Sequence, residues 1–151
     1  MKVIVAGAGE VGYNISNKLS KERIDVVLID KDPERIATVS DTLDVQTIVS
    51  PINRPEVLIQ AGVRESELFV AVTGSDTENI LACRYVQLLA PMVMRLARLR
   101  DSEIYKGLSE IDIKEGLGIN HIIDPTSLVV DTIMDFMAIP GAGDVIDVSG
   151  G

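Results

Sequence analysis

Short apolar runs alternate with segments of helical periodicity along nearly the whole chain. Runs without polar interruptions are typical of strands buried on both faces, and apolar residues three or four positions apart are typical of amphipathic helices. The predicted strands are Lys2–Ala6, Val26–Ile29, Gln46–Val49, Leu68–Val72, Met94–Leu99 and His121–Ile123. The predicted helices are Val11–Leu19, Pro33–Leu43, Pro55–Ala61, Asp76–Leu89, Glu103–Leu108 and Pro125–Met137. Residues 107–120 have no clear period, and we expect a loop or short helix there.

The strict alternation predicts a Rossmann-like α/β fold. Repeated strand-helix-strand units close with right-handed crossovers into a doubly wound, six-stranded parallel sheet. Two helix starts are marked by an N-cap aspartate followed by proline at the first helical position, at Asp32-Pro33 and at Asp124-Pro125. We therefore expect one Rossmann-like domain over residues 1–124, followed by a C-terminal helix and tail over residues 125–151.

The composition favours a single domain with an aliphatic core and disfavours a nucleic-acid-binding or membrane-spanning protein. With 151 residues, 46% of them hydrophobic and only 3% aromatic, the chain can build one core from aliphatic side chains. Its net charge of -9 disfavours nucleic acid as a partner. The single cysteine, Cys83, cannot form an internal disulfide, which favours a reducing compartment. Because no apolar run approaches the roughly 18 residues of a membrane span, we expect a cytoplasmic domain without direct membrane insertion.

A glycine-rich turn follows the first predicted strand and opens the first predicted helix. It reads Gly7-Ala8-Gly9-Glu10-Val11-Gly12. In this pattern the first glycine permits the tight turn, the second lets the backbone approach a diphosphate, and the third lets the helix pack closely on the sheet. The start of the helix offers free N–H donors and partial positive charge to phosphates. The turn therefore predicts a phosphate-binding site, the alternative being a tight turn of purely structural origin.

An acidic residue, Asp30, ends the second predicted strand at the distance from Gly12 that this motif requires. Its carboxylate would accept hydrogen bonds from both ribose hydroxyls and would repel a 2′-phosphate, which favours NAD or an adenosine nucleotide over NADP. The adjacent Lys31 weakens that discrimination. We expect Asp30→Ala to weaken NADH binding and leave the fold intact. Alternatively Asp30 is a solvated strand-end residue, and Arg35 is interpreted as a surface residue of the second helix.

Two other stretches should lie at the same edge of the sheet, where open α/β sheets bind ligands. Thr73, Gly74 and Ser75 follow the fourth strand, and their small size lets a ligand lie against the backbone; the alternative is a loop in which Ser75 or Asp76 caps the next helix. Arg98 lies near the end of the fifth strand, where a charge in an apolar run needs a partner. A phosphate or a structural carboxylate could be that partner.

Residues typical of catalysis are not apparent in the sequence. The one histidine, His121, lies in a predicted strand and is interpreted as a core group. No Tyr/Lys pair has the spacing of hydride-transfer enzymes, and no His, Cys and carboxylate set has metal-ligand spacing. We therefore expect no catalytic residues, no metal site and no enzymatic activity, so that nucleotide binding serves sensing.

Several of these stretches together resemble the N-terminal regulator-of-conductance (RCK or KTN) domains of TrkA-like potassium-uptake regulators of the Trk/Ktr type. The resemblance covers most of the chain in order and spacing. It rests on Gly7 to Gly12, Val27 to Asp32, Pro55 to Leu58 with Ala61 to Val63, Ala71 to Asp76 with Asn79, Ala97 and Arg98 with Tyr105, and Ile123 to Ala142.

The resemblance implies a regulatory subunit that binds NAD(H), or alternatively ATP and ADP, and gates an integral membrane potassium-transport subunit from its cytoplasmic side. The backbone of Gly7 to Val11 would hold phosphates, Asp30 the ribose, and Arg98 a phosphate, with Thr73 and Gly74 lining the cleft. The helix Ser127 to Met137 would cross to a partner subunit in a homodimer or larger ring. Its apolar stripe comprises Leu128, Val129, Thr132, Ile133, Phe136 and Met137; alternatively the stripe packs on its own sheet.

The chain departs from the family pattern in two respects. Near the adenine, where the family has Gly and a polar residue, this chain has Ser50-Pro51-Ile52, and Pro51 removes a backbone donor. We expect Pro51 and Ile52 to line the base site and to alter nucleotide preference or affinity. The chain also has no room for the C-terminal ligand-binding domain that family members often carry. The other readings are the nucleotide-binding half of an NAD-dependent dehydrogenase and an assembly domain without ligand.

Overall fold

A six-stranded, all-parallel sheet organises the chain in the computed structural model, which describes residues 1–123, 131 and 133–135. The strands are β1 (Lys2–Ala6), β2 (Asp25–Asp30), β3 (Gln46–Val49), β4 (Leu68–Ala71), β5 (Met94–Arg98) and β6 (His121–Ile123). Their order is β3-β2-β1-β4-β5-β6, so the direction of winding reverses between β1 and β4. This order confirms the predicted doubly wound, Rossmann-like sheet.

Four α-helices connect the first five strands: α1 (Glu10–Lys21), α2 (Pro33–Thr42), α3 (Pro55–Gln60) and α4 (Asp76–Leu89). The N-cap predicted at Asp32 is confirmed, since its carboxylate accepts a hydrogen bond of 2.9 Å from the Glu34 N–H. At α4 the cap is Ser75, whose Oγ accepts from the Glu78 N–H at 3.2 Å. Within the described part of the chain, no helix combines the length and apolarity needed to cross a membrane.

The connection between β5 and β6 differs from the prediction. Instead of an α-helix over Glu103–Leu108, a short 3-10 helix spans Ser102–Ile104 and the chain then turns. Gly107, at φ +93°, adopts the left-handed conformation that ends any continuing helix. A single π-helical turn follows at Asp112–Gly116, which agrees with the short helix expected within residues 107–120.

Two apolar cores cover the two faces of the sheet. Because side chains alternate along a strand, Ile4 and Ala6 face α3 and α4, whereas Val3 and Val5 face α1 and α2. Ile15 and Leu19 of α1 and Ile36 and Val39 of α2 complete the second core. Within the described part of the chain, strand side chains on both faces are buried, as is typical of a parallel sheet, and the strand ends are open to ligands.

The last predicted helix is described only at residues 131 and 133–135, which are helical. Ile133 is 1% exposed and packs in the core that contains Val3 and Val5, so this residue of the stripe packs on its own sheet. The rest of that stripe, at Leu128, Val129, Thr132, Phe136 and Met137, lies outside the described residues, as does the cap at Asp124. The crossover to a partner and the boundary at residue 124 stay predictions.

Cys83 is fully buried in α4, with its Sγ 3.9 Å from the Leu96 carbonyl oxygen. Burial raises the pKa of its thiol to about 12, and the opposing influence of Arg95 is smaller. We expect a thiol reagent at pH 8 to react with native protein on the order of a thousandfold more slowly than with protein unfolded in denaturant. A Met92→Cys variant, at a 94% exposed position, supplies a fast-reacting control. Equal rates for Cys83 in the two states would contradict this packing.

Candidate functional site

A crevice lies at the carboxyl edge of the sheet, where the winding reverses. It comprises two adjoining cavities of about 340 Å³ each, which share Asp30, Arg35, Thr73 and Gly74 in their walls. One cavity is lined additionally by Gly7, Gly9, Glu10, Val11, Val72 and Arg98. The other is lined additionally by Lys31, Asp32, Pro51, Ile52, Ser75 and Glu78. An elongated ligand could therefore run from the glycine turn to the end of β3, the position at which open α/β sheets bind ligands.

The glycine turn presents an uncapped helix start to the crevice. Gly7 has φ +118°, and its N–H donates to the Ile29 carbonyl oxygen at 2.8 Å, which holds the turn against β2. Gly9 is the N-cap of α1 and has no side chain with which to bond the first-turn N–H groups. A β-carbon on Gly12 would lie 1.7 Å from the Gly7 carbonyl oxygen, so α1 packs against the turn as only glycine allows. These features leave first-turn N–H groups of α1 without a side-chain partner, which suits this end of the crevice to an anion.

Asp30 is 6% exposed and organises the surrounding backbone. Its Oδ2 accepts a hydrogen bond of 2.7 Å from the Ala8 N–H, and its Oδ1 accepts one of 2.7 Å from the Asp32 N–H. The two bonds join the glycine turn to the start of α2. Since a carboxylate offers about four acceptor positions, two remain for the hydroxyls of a sugar.

A buried amide joins the ends of β4 and β5. Asn79 of α4 is fully buried, and its Oδ1 accepts from the Thr73 N–H at 3.1 Å and from the Thr73 Oγ1 at 2.6 Å. Its Nδ2 donates to the carbonyl oxygens of Thr73 at 3.1 Å and Arg98 at 2.8 Å. All four bonds serve backbone or side chains at the crevice wall. Asn79 belongs to the family pattern, but its role cannot be predicted from the sequence because its partners lie at the ends of two different strands.

Arg98 ends β5 with a buried donor that has no hydrogen-bond partner, its Nε. Buried N–H groups are nearly always paired in folded proteins, so an unpaired one in a crevice wall calls for an acceptor. The alternative expected from the sequence was a structural carboxylate as the partner of Arg98. Among the described residues, no carboxylate forms an ion pair with it. An anion entering beside the glycine turn would satisfy it.

Two further arginines lie at the crevice. The Arg35 side chain is 57% exposed, which agrees with its interpretation as a surface residue of α2, and it also lines the crevice wall. The Arg35 Nη1 lies 3.9 Å from the Asp30 Oδ2, and its Nε lies 3.8 Å from the Asp32 Oδ2. Arg100 has its Nη1 3.9 Å from the position of a β-carbon on Gly74. In the sequence, the position of Arg35 one helical turn after Asp32 could have indicated its place at the site. For Arg100, the indication was its closeness to Arg98 at the end of a strand.

The structure brings the predicted site residues together. Those in the crevice walls are Gly7, Gly9, Glu10, Val11, Asp30, Lys31, Pro51, Ile52, Thr73, Gly74, Ser75 and Arg98. Ala8 lines an adjacent cavity, and Gly12 lies behind the turn. At the base end, the Ser50 N–H donates to the Asp30 carbonyl oxygen at 2.9 Å, and its Oγ donates to the Pro51 carbonyl oxygen at 2.8 Å. Nucleotide binding by these residues stays a prediction.

Two titratable side chains, His121 and Arg95, lie outside the walls of the crevice. His121 lies on β6, half-buried, and its pKa is lowered by burial and secondarily by Lys114. Arg95 is buried and donates to the carbonyl oxygens of Gly118, Pro91 and Val93, which fixes the chain before β6. Across residues 1–123, 131 and 133–135, no group of three His, Cys, Asp or Glu side chains is placed to hold a metal ion.

Comparison with known proteins places this fold and site in a family context. The TrkA-N domain family matches residues 3–125. The Trk system potassium uptake protein TrkA of Haemophilus influenzae is 35% identical over 142 residues, which cover 94% of the chain and 31% of that protein. The chain therefore spans about a third of the length of this relative.

Solved structures share the fold at low sequence identity. The TrkA-N domain of the inner membrane protein YbaL from Escherichia coli has a TM-score of 0.71 at 15% identity, covering 90% of this chain and 96% of that one. The GsuK channel bound to NAD has a TM-score of 0.69 at 14% identity, and the match covers 90% of this chain and 22% of that one. GsuK bound to ADP has a TM-score of 0.68 at 13% identity, and the match covers 90% of this chain and 33% of that one.

Proposed function

Since the chain belongs to the TrkA-N domain family, we propose that it is a regulatory module that binds NAD(H), or ATP and ADP, in the crevice and controls a potassium transporter. The observation that carries this proposal is the unpaired, buried Nε of Arg98 beside an uncapped helix start. Two independent sources of positive charge meet there, one from a side chain and one from the backbone. A phosphate chain is the ligand chemistry that matches both.

A dinucleotide would lie along the crevice with each part facing a matching surface. Its diphosphate would accept hydrogen bonds at the start of α1 and from Arg98, with Thr73 and Gly74 alongside. The adenosine ribose would donate to the acceptor positions of Asp30 that the backbone leaves open. The base would lie against Pro51 and Ile52, where apolar contact takes the place of a polar side chain. ADP or ATP would use the same contacts up to the second phosphate.

We propose that the domain responds to bound nucleotides and does not catalyse a reaction on them. The crevice is lined by backbone, hydroxyl, carboxylate, lysine and arginine groups, whereas the one histidine lies on β6 and the one cysteine in the core. Such a site signals if two ligands, for example NAD and NADH, favour two arrangements of the domain with different affinities. Arg98 and Thr73 suit this task because Asn79 ties both to the end of the sheet, so that a shift at one strand end reaches the other.

The proposed partner is an integral membrane subunit that transports potassium, with the domain acting as a homodimer or larger ring on its cytoplasmic face. Support comes from the name of the similar Haemophilus influenzae protein and from the shared fold of the GsuK channel domain. Rubidium flux into liposomes that contain a Trk-type membrane subunit tests this step. We expect the added chain to change flux in a nucleotide-dependent way. Flux that is independent of both chain and nucleotide would contradict the partner.

Calorimetric titration with NADH, NAD, ATP and ADP tests the nucleotide proposal. We expect binding of at least one of them without consumption of NADH. Arg98→Ala should weaken binding by about ten- to a hundredfold, because a charge-assisted hydrogen bond to phosphate is lost. Arg98→Lys should weaken it less. Arg64→Ala is the matched control, since Arg64 lies just before β4 at the opposite edge of the sheet. The affinity of this variant for nucleotides should equal that of the wild-type chain.

Two outcomes of that titration would overturn the proposal in different ways. Absence of binding by all four nucleotides would favour the assembly domain without ligand. Oxidation of NADH in the presence of candidate substrates would favour the dehydrogenase fragment. Retained affinity in Arg98→Ala would leave nucleotide binding in place and reject only the assigned phosphate contact.

A further inference from the structure

A third cavity adjoins the crevice on the outer side of Gly9. It also has a volume of about 340 Å³ and lies between α1 and α2, with Tyr13, Asn14 and Thr38 in its walls. Arg35 lines this cavity and both parts of the crevice, so its side chain forms the partition between them. The proposed ribose contact, Asp30, lies directly across that partition.

Charges of both signs surround the ribose end of the crevice. Its walls contain three carboxylates and two cations, from Asp30, Asp32, Glu78, Lys31 and Arg35. The two ion pairs of Arg35 are long, at 3.9 Å and 3.8 Å, and its side chain is 57% exposed. Asp30 is buried but accepts hydrogen bonds from two backbone N–H groups, and the guanidinium is beyond hydrogen-bond distance from it. The exposed Arg35 can therefore leave Asp30 for a better acceptor at small cost. A negative group on the ribose would therefore meet a cation as well as a carboxylate.

We propose that Arg35 determines how this site treats a phosphate on the ribose 2′-oxygen. This inference rests on the proposed nucleotide binding and adds to it the tolerance of NADPH. With Arg35 present, a 2′-phosphate turns toward the outer cavity and accepts hydrogen bonds from the guanidinium, which offsets repulsion by Asp30. Without Arg35, the same phosphate meets the three carboxylates of this part of the crevice with Lys31 as the remaining cation in its walls. The 2′-hydroxyl of NADH is neutral and experiences little of this change.

The test compares NADH with NADPH on the wild-type chain, Arg35→Ala and Arg35→Lys. We expect Arg35→Ala to raise the ratio of the NADPH to the NADH dissociation constant about tenfold, chiefly through weaker NADPH binding. Arg35→Lys should preserve most of the wild-type ratio because it keeps the charge. Arg64→Ala removes one positive charge at the opposite edge of the sheet and should leave the ratio unchanged.

Two smaller ligands test the contact between Arg35 and the 2′-phosphate without the nicotinamide half of the dinucleotide. Adenosine 2′,5′-bisphosphate and 5′-AMP differ only in the 2′-phosphate, and Arg35→Ala should shift their affinity ratio in the same direction. Equal weakening of all ligands, with unchanged ratios, would overturn the inference and make Arg35 a general contact. Failure of the wild-type chain to bind any of these ligands would instead reject the proposed function together with this inference.

Discussion

Gly12→Ala should destabilise the domain by about 3 kcal/mol and abolish nucleotide binding. The new β-carbon would lie 1.7 Å from the carbonyl oxygen of Gly7 and 2.8 Å from its carbonyl carbon. Both atoms belong to the backbone, so a side-chain rotation cannot relieve the clash. Relief requires α1 to move away from the turn, and the helix start would then leave the position at which it meets a phosphate.

Urea unfolding followed by circular dichroism measures the stability loss, and calorimetry measures the binding. Gly116→Ala is the matched control, because a β-carbon there meets nothing within 4 Å and the backbone is outside the left-handed region. Its free energy of unfolding should change by less than about 1 kcal/mol. A Gly12→Ala variant as stable as the control would show that α1 does not pack on the turn in this way.

The number of strands and their approximate positions could be predicted from the sequence because the signals of single strands are local. β1, β3 and β6 have the predicted bounds. The predicted ends of β4 and β5 are one residue too long. Val72 and Leu99 are apolar and buried, but they follow the last residues of β4 and β5. Apolar periodicity reports burial and cannot separate a strand from the buried residue that follows it.

Segments whose conformation depends on distant contacts were harder to predict. The helix expected at Glu103–Leu108 is mostly a turn, because the carboxylate of Asp76 accepts the N–H groups of Arg100 and Asp101 and fixes the chain entering this segment. Arg35 shows a related limitation at the site. Its side chain is exposed, as its helical position suggested, but its place beside Asp30, on a different element, could not be predicted from the sequence.

Asp30→Asn should reduce both stability and affinity, which revises the expectation from sequence that replacing Asp30 leaves the fold intact. The two carboxylate oxygens accept separate backbone N–H groups, from Ala8 and from Asp32. An asparagine has one carbonyl oxygen, so its NH₂ group must face one of these two donors in either orientation. A buried donor without an acceptor costs about 1–3 kcal/mol, and we expect that loss in the free energy of unfolding.

The same substitution should weaken NADH binding about tenfold or more, because an amide replaces the charged acceptor of the ribose hydroxyls. The two effects can be separated by measuring affinity well below the thermal transition, where the variant is folded. Asp44→Asn is the matched control, since Asp44 is exposed just before β3 at the opposite edge of the sheet. Both its stability and its affinity should equal those of the wild-type chain.

The combination of results on Asp30→Asn identifies which of its two roles is real. Lower stability with unchanged affinity would mean that Asp30 only joins the glycine turn to α2 and that the ribose lies elsewhere. Lower affinity with unchanged stability would mean that the bonds to Ala8 and Asp32 contribute nothing to folding. Loss of both, beside an unaffected Asp44→Asn, is the result expected if one buried carboxylate shapes the phosphate turn and receives the sugar at the same time.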